Sequence, residues 1–463
     1  MSQRTRRQIS EKLNSLDDAA SLPFHEVLNE SMVREALAAE GVKYNLSIFT
    51  PFVTLCAFLS QVLDPDHSCR AAVARVIVWM AIHGRKPCSE HTGAYGDARQ
   101  RLPLGVIVRL VRQTARQTDR RRGADGNWKG RPIVLVDGAT VSMPDTPRNQ
   151  RAFPQSSAQG IGLGFPLARL VILISLATGV ARDLALGPYQ GKETGETALF
   201  RELMAGLEAG EIVVGDRVFA SYFGIAGLAR RGVDGVFRMH QRRKVDFGRG
   251  RCVGFEDHVV SWVKPARPDW MDEETYSQWA GEMPVRELRF RVDRPGFRVH
   301  EIVLVTTLLD AELYTKEELA ELYLKRWNVE LDLRSIKDVM QMDVLRCESP
   351  EMVEKEIWMH LLAYNLIRGV IVEAAREHGK QPRQISFKGA LQTMTAFQEV
   401  LRGAKPEGRQ RLFAVMLKAI AGHRVGNRPG RVEPRANKRR PKPQRYLTEP
   451  RREARKRLLE NVL

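Results

Sequence analysis

The spacing of apolar and polar residues divides the chain into a helical first part and a strand-rich middle. Apolar residues recur at helical spacing in TPFVTLCAFLSQVL and CRAAVARVIVWMAIHG, and LPLGVIVRLVRQTARQ predicts an amphipathic helix rich in Arg. The stretch RRRGADGNWKGRP then interrupts this periodicity with Gly, Pro and charge, which is typical of a linker. We therefore expect a helical lobe that is separate from the strand-rich middle.

The middle of the chain alternates short buried strands with helices. RPIVLVDG, EIVVGD and GVDGVFRM are short β-branched runs, and LARLVILISLATGVARDLALGPY predicts two strands joined by a turn at Thr178-Gly179. TGETALFRELMAGLEAG predicts an amphipathic helix that ends at Gly210, and a further helix is expected over 220–231. Strands that are first antiparallel and then alternate with helices predict a mixed α/β sheet.

Later changes in the pattern suggest an insertion and a return to the core. From about residue 241 the chain becomes polar, basic and strand-leaning, and HEIVLVTTLLD then returns to a buried strand. A long helix comes next in YTKEELAELYLKRWNVELDLRSIKDVM, and EIWMHLLAYNLIRGVIVEAA predicts a strongly apolar one. We predict five regions, with boundaries at 1–125, 126–240, 241–300, 301–400 and 401–463.

The helix that contains YLKRWNVELDLRSIK has an unusual distribution of charge. One apolar stripe comprises Leu322, Val329, Leu333, Ile336 and Met340, and a second comprises Leu324, Trp327 and Leu331. The side expected to face solvent carries Lys325, Asn328, Asp332 and Ser335. Between the two apolar stripes, within about 60° of arc, lie Tyr323, Arg326, Glu330 and Lys337. We therefore expect this helix to turn two cations, an acid and a phenol away from bulk water.

The charge of the chain points to a polyanionic partner. The net charge is +18, and residues 424–457 hold fourteen Lys and Arg against three acids, so one Pro-rich tail carries most of the excess. A flexible basic arm laid along phosphates is the natural interpretation, and a solvated basic surface is the alternative.

Other features of the composition limit the class of protein. The apolar runs are too short to span a bilayer and no signal peptide is evident, so we expect a cytoplasmic protein without a membrane partner. The five cysteines are scattered, which predicts reduced thiols and argues against a structural zinc site.

Three acids form a candidate catalytic constellation. Asp137 and Asp216 each end a predicted buried strand, and Glu330 lies on the inward helix face. Either Asp alone is commonly a turn former or a helix cap, but three carboxylates in one pocket would need cations to neutralise them. Oxygen ligands select Mg²⁺ or Mn²⁺, and two such ions are the usual device for in-line displacement at phosphorus. With the basic charge, the expected substrate is a nucleic-acid phosphodiester.

The residues of this helix also match a family motif. Tyr323, Arg326, Glu330 and Lys337 satisfy Y-x2-R-x3-E-x6-K, and VDGATVSMPDTPRN and VVGDRVFASY surround the two Asp residues. HTGAYGDARQRLP and RRPKPQRY add further agreement. Over residues 40 to 450, roughly, the chain resembles bacterial insertion-sequence transposases of the DDE class, of the IS-four type.

The resemblance implies a fold and a set of site residues. The fold is a ribonuclease H-like mixed α/β core interrupted by a β-rich insertion, preceded by a helical DNA-binding region at 1–125 and followed by a basic DNA-contacting tail in 401–463. Asp137, Asp216 and Glu330 are implied to be catalytic and to bind two Mg²⁺ ions, with Mn²⁺ able to substitute. Tyr323, Arg326 and Lys337 match positions that contact phosphates of the terminal DNA.

The resemblance further implies what the protein does. It is expected to cut the ends of its own insertion element and to join the 3′-hydroxyl to target DNA, acting as a homodimer on paired ends in the bacterial nucleoid. Its partners would be double-stranded DNA, as terminal inverted repeats and as target. We expect Arg217 to add a phosphate contact. The Arg residues expected to read the repeats, with a solvated face as the alternative, are Arg109, Arg112 and Arg116.

Alternative interpretations remain open from the sequence. A nuclease of the same core fold that never joins strands is one, and a catalytically inactive DNA-binding descendant is another. An internal Arg–Glu–Lys network that only stabilises the fold is the alternative for the charged helix face. Trp262 and Trp270 are expected to be packing anchors, with stacking on a DNA base as the other possibility.

Overall fold

The computed structural model describes residues 28, 30–44, 47–82, 84–292, 301–426 and 445–460. Most of the predicted basic tail, at 427–444, lies outside the described residues. All five cysteines are free thiols, as expected. In the described ranges no helix combines the length and the apolar character needed to cross a membrane.

Fifteen helices occur in the described part of the chain. They are α1 Glu30–Ala39, α2 Pro51–Val62, α3 Cys69–Ile82, α4 Gly93–Arg101, α5 Leu104–Arg122, α6 Pro147–Ala152, α7 Glu196–Leu203, α8 Tyr222–Ala229, α9 Glu273–Ser277, α10 Lys316–Leu324, α11 Trp327–Arg334, α12 Pro350–Glu377, α13 Phe387–Gly403, α14 Pro406–Gly422 and α15 Arg451–Glu460. Helices α1 to α5 confirm that the first described part of the chain is helical. Local chemistry sets their ends: the Thr50 hydroxyl accepts from the Val53 N–H at the start of α2, and α5 stops at Gly123, whose φ is +73°.

Within the described residues, nine strands form one mixed sheet. They are β1 Ile133–Ser142, β2 Leu167–Ser175, β3 Ala181–Pro188, β4 Ile212–Gly215, β5 Asp234–Arg238, β6 Arg251–Gly254, β7 Asp257–Val263, β8 Glu282–Arg291 and β9 Glu301–Thr306. Their spatial order is β3-β2-β1-β4-β5-β9-β8-β7-β6. Only the β1–β4 and β4–β5 pairs are parallel. The predicted turn between β2 and β3 is present, with φ of +81° at Gly179. The expected mixed α/β sheet is thus confirmed.

Helices cover both faces of the first half of the sheet. Consecutive residues of β1 alternate between two hydrophobic cores, as a strand requires: Leu135 packs in the core that contains α5 and α12, and Val136 packs in the core that contains α7 and α8. Helix α12 is buried along almost its whole length. This half of the sheet is therefore buried on both faces, and its backbone fixes the positions of the side chains that its strands carry.

The segment after β5 extends this same sheet. Strand β9 pairs with β5 on one side and with β8 on the other, so β6 to β8 continue the core sheet instead of forming a separate layer. Trp262 is 4% exposed and donates its indole N–H to Glu287 Oε1 at 2.7 Å. The ring of Trp270 packs edge-on against Phe223 and lies under the Arg201 guanidinium. Both tryptophans are packing anchors, as expected.

The long helix predicted from 314 to 340 is interrupted, which corrects the sequence expectation. Helices α10 and α11 are separated at Lys325 and Arg326, where backbone N–H groups bond to carbonyls three residues back, for example Arg326 to Tyr323 at 2.9 Å. A π-helical turn comes next, over Ser335–Val339. The backbone at Arg326 is wound more tightly than an α-helix, and the turn after Arg334 is wound more loosely. The side chains of this segment therefore do not keep the angular spacing of an ideal α-helix.

This altered spacing changes which side chains are buried. Trp327 and Leu331, predicted as an apolar stripe, are 46% and 43% exposed. Asp332, predicted to face solvent, is fully buried. It is buried because Arg368 and Arg383 donate to its two carboxylate oxygens, both at 2.5 Å, and the Tyr364 hydroxyl adds a bond at 3.0 Å.

Candidate active site

The parallel register of β1 and β4 brings the first two acids together. Val136 lies opposite Gly215, so the next residues, Asp137 and Asp216, stand side by side at the point where this pairing stops. Asp137 is not at a strand end as predicted, since β1 continues to Ser142 through its antiparallel partner β2. Asp216 does leave its strand, because a 3-10 turn begins at Arg217.

Helix α11 carries the third acid, Glu330, which Arg326 links to Asp137. The Arg326 guanidinium donates to Glu330 Oε1 at 2.6 Å, and its other terminal nitrogen lies 3.6 Å from Asp137 Oδ2. Val329, Leu333 and Ile336 hold the helix in the core that also contains Leu135. The Arg326 side chain is 14% exposed, whereas that of Glu330 is 36% exposed, so the acid faces the more open side. Asp137 thus lies beside Asp216 in the sheet and is linked to Glu330 through Arg326. We call the space around these three acids the cleft.

Burial raises the pKa of two groups at the site. Burial raises the pKa of Asp137 to about 6, and repulsion from Glu330 and Glu196 adds to this effect, while the Gly138 N–H and Arg326 oppose it. Burial also raises the pKa of Tyr323 to about 12, with a further rise from the charge of Asp216. Both shifts favour the uncharged form of the group, and a cation bound nearby would favour the ionised carboxylate of Asp137.

The predicted phosphate-contacting side chains have different surroundings. Tyr323 is 5% exposed and lies close to Arg326 and Asp216. Lys337 lies in the π-helical turn and makes no hydrogen bond or ion pair with any described residue. Arg217 donates to Gln241 Oε1 at 2.7 Å, on the side toward the insertion. Tyr323 thus lies in the cleft. Lys337 and Arg217 lie outside it, Lys337 in the π-helical turn and Arg217 beside Gln241.

Two residues of the cleft were missed by sequence reasoning. Arg238 ends β5, and because Phe237 lies opposite Gly215, Arg238 stands directly beside Asp216. Glu196 begins α7, and its carboxylate lies against the backbone of Gly138. The signal for Arg238 was its place at the end of the third parallel strand. No sequence signal separates Glu196 from an ordinary acid in a first helical turn.

The basic face of α5 divides into paired and unpaired cations. Arg109 bonds to Glu40 at 3.1 Å and Arg112 to Asp183 at 3.0 Å. Arg116 is exposed and has no hydrogen-bond or ion-pair partner among the described residues. All three line a groove of about 610 Å³ between α1 and α5, together with Arg120. Two of the three predicted DNA-reading arginines are therefore engaged within the protein.

The donors in the cleft suit a hard divalent ion. Asp137, Asp216 and Glu330 offer only carboxylate oxygens, the ligand type that Mg²⁺ and Mn²⁺ prefer. Within the described residues, no three acidic, His or Cys side chains are already arranged to hold an ion. The Arg326 guanidinium instead lies between Asp137 and Glu330, where it supplies positive charge to both. The acids thus fit such ions in their chemistry, and the Arg326 guanidinium occupies the space between two of them.

Comparison with known proteins identifies the family. Residues 128–366 match the model of the transposase DDE domain. The chain is 28% identical over 352 residues to transposase InsG for insertion sequence element IS4 of Escherichia coli strain K12, spanning 74% of this chain and 76% of that protein. It is 27% identical over 129 residues to the putative transposase InsZ of the same strain, spanning 28% and 42% of the two chains.

A solved structure is also similar in outline. The piggyBac transposase synaptic complex with hairpin DNA matches with a TM-score of 0.41 and 10% identity, over 86% of this chain and 84% of that one. The family match covers the segment that carries Asp137, Asp216 and Glu330. The chain belongs to the transposase DDE domain family, as an IS4-type DNA transposase that cleaves DNA and transfers its strands.

Proposed function

We propose that Asp137, Asp216 and Glu330 form the catalytic centre of this transposase and hold two Mg²⁺ ions, with Mn²⁺ able to substitute. The observation that carries the proposal is the register of β1 against β4, which sets Asp137 beside Asp216, together with the guanidinium that Asp137 and Glu330 share. Carboxylates this close repel one another, and cations relieve that repulsion.

The ions, when bound, activate the attacking oxygen and stabilise the leaving oxygen at a phosphodiester. The protein's own contribution is to orient and to balance charge. Asp137 accepts the Gly138 N–H at 2.8 Å, which fixes the orientation of its carboxylate. Arg326 lies between two of the acids and, once they bind cations, is free to contact a phosphate oxygen of the DNA.

Further side chains bring DNA phosphates to the centre. Tyr323 and Arg238 flank Asp216, and Lys337 has no partner within the described chain. We assign these three to the phosphates near the cleaved bond, and Arg217 to a more distant phosphate. The bound strand would be the end of the element during cleavage, and the target strand during joining.

The surrounding architecture supports the same proposal. The order β3-β2-β1-β4-β5, with two parallel and two antiparallel pairings, supports a ribonuclease H-like core, into which β6 to β8 are inserted before the Glu330 helix. The helical region at 1–125 would bind the terminal inverted repeats, and the basic tail in 401–463 would contact DNA. Two chains would act on the two ends of the element as a homodimer.

A strand-transfer assay tests the assignment. Purified protein is incubated with Mg²⁺ and labelled DNA from the flanks of its own gene. Joined products are expected for the wild type and for Glu321→Gln, an exposed acid on α10, and are expected to vanish in Asp137→Asn, Asp216→Asn and Glu330→Gln. Unchanged cleavage in all three variants would overturn the assignment of the acids. Cleavage without joining by the wild type would favour a nuclease instead.

A further inference from the structure

Gly138 leaves a gap in β1 that the carboxylate of Glu196 occupies. A Cβ atom added at Gly138 would lie 2.5 Å from Glu196 Cδ and closer still to its Oε1, nearer than any real contact. Because side chains alternate along a strand, this gap is on the side of β1 opposite the Asp137 carboxylate. The helix that carries Glu196 packs on that side through Leu199 and Phe200.

The surroundings of Glu196 do not satisfy its charge. It is half-buried and makes no hydrogen bond or ion pair with any described residue. Arg169, the cation that attracts it, donates instead to the Thr194 carbonyl at 2.9 Å and stacks on Tyr189, so it anchors the loop that leads into α7. The acid is thus held against β1 without a partner of its own.

Glu196 also lies within electrostatic reach of both catalytic Asp residues. Its charge acts on Asp137, and the charge of Asp216 acts on it. Strand β4 ends at Gly215, so Gly138 has no partner on the β4 side, although it stays paired with Val171 of β2 on the other side. The carboxylate therefore approaches the two Asp residues from the face of the sheet opposite α11.

We infer that Glu196 is a fourth carboxylate of the active site, a positioning residue that strengthens the binding of divalent cations from the α7 side. The inference rests on the proposed metal centre of Asp137, Asp216 and Glu330. Glu196 makes no hydrogen bond to the proposed ligands, so its carboxylate would act on the ions through its charge, and an interaction equivalent to one pKa unit corresponds to a change in metal binding of about tenfold. Gly138 is the residue that makes this approach possible.

The test measures Mn²⁺ binding to the full-length protein without DNA, by titration calorimetry and by electron paramagnetic resonance of the free ion. Glu196→Gln is expected to raise the Kd for Mn²⁺ about tenfold. The matched control is Glu193→Gln. It removes the same charge from an exposed site in the loop before α7, where Glu193 pairs with Arg201. The Kd of this control should stay within twofold of the wild type.

A second variant separates the role in metal binding from a role in folding. Gly138→Ala keeps an extended backbone, but its Cβ displaces the flexible end of Glu196, so it should weaken Mn²⁺ binding as Glu196→Gln does. The double variant should be no weaker than either single one. Metal-free melting temperatures are expected to stay close to wild type in Glu196→Gln, whereas a loss of stability without a change in Kd would overturn the inference.

Asp137→Asn distinguishes failure of this inference from failure of the proposed function. If Asp137→Asn weakens Mn²⁺ binding and Glu196→Gln does not, only the role of Glu196 is wrong. If Asp137→Asn leaves the Kd unchanged, the proposed metal centre fails and the role of Glu196 fails with it. Equal weakening in Glu196→Gln and Glu193→Gln would reflect general charge and would also overturn the inference.

Discussion

Glu330 and Asp332 are two residues apart on α11, yet they lie in opposite electrostatic environments. Asp332 is fully buried between Arg368 and Arg383, with Tyr364 completing its hydrogen bonds. Glu330 is partly open and shares Arg326 with Asp137. Two arginines pair with Asp332, whereas Glu330 and Asp137 share one arginine.

The difference separates a cluster whose charges are paired within the protein from the cluster that we propose to be catalytic. Of the Arg–Glu–Lys network considered for Glu330, the pair of Arg326 with Glu330 is present, and Lys337 has no partner among the described residues. A larger internal ion network is built on Asp332. Its charges are balanced within the protein, so nothing has to be added. Around Glu330 and Asp137 the pairing is less complete: Arg326 lies 2.6 Å from Glu330 but 3.6 Å from Asp137, and burial raises the pKa of Asp137. We call the Asp332 cluster balanced and this cluster unbalanced.

The largest expected effect on stability comes from breaking the balanced cluster. Asp332→Ala leaves two arginines buried without their partner, and it should lower the free energy of unfolding by about 3–5 kcal/mol. Urea denaturation followed by circular dichroism measures it. Asp338→Ala, an exposed acid paired only with Arg334, should change the same free energy by about 0.5 kcal/mol or less. A similar loss in both variants would contradict the contrast.

The unbalanced cluster should behave in the opposite way. The pKa of Asp137 is raised from 3.8 to about 6, so the folded state binds a proton that the unfolded state releases, and its contribution to stability is lost as pH rises through 6. Asp137→Asn should therefore stabilise the metal-free protein at pH 8, by up to about 3 kcal/mol.

This second prediction carries its own control. At about pH 3, below the pKa of both states, the carboxyl is mostly protonated whether the chain is folded or unfolded, so Asp137→Asn should have little effect on stability in the presence of EDTA. Saturating Mg²⁺ should reverse the advantage at pH 8, because the ion binds the folded wild type and stabilises it. A destabilising effect of Asp137→Asn at pH 8 in EDTA would contradict the imbalance.

Glu330→Gln should change stability little while removing activity. Its side chain is partly exposed and makes one ion pair, so the free energy of unfolding should change by about 1 kcal/mol or less. Strand transfer should fall below detection. Denaturation and the DNA assay on the same preparation measure both quantities, and retained strand transfer would place the catalytic acid elsewhere.

The smallest expected effect concerns the cations of α5, where one arginine is paired within the described part of the protein and another is not. Arg116 has no partner among the described residues, whereas Arg109 is paired with Glu40. Arg116→Ala should weaken binding to double-stranded DNA and reduce the slope of log K against log salt by about 1. Arg109→Ala should change that slope less. Fluorescence anisotropy over a series of salt concentrations measures the slopes, and equal slopes for both variants would contradict the contrast.

Much of the fold could be predicted from the sequence, because periodicity reports burial directly. The helical first part and the turn at Gly179 were predicted from patterns of apolar spacing, and the strand-leaning segment after β5 from its change to a polar, basic composition. The errors arose where geometry departed from the ideal helix. Tightened bonds at Arg326 and the π-helical turn after Arg334 shift the faces, so Trp327 became exposed and Asp332 became buried.

The sequence by itself determined the chemical content of the site: three acids in recognisable contexts, a helix that turns charge inward, and an excess of basic charge for a polyanion. Only the tertiary structure decided which charges meet. The register of β1 and β4 joins Asp137 to Asp216, the end of β5 adds Arg238, and the missing side chain of Gly138 admits Glu196. Periodicity tells which face of an element is turned inward, but the groups that stand opposite that face depend on contacts far apart in the chain.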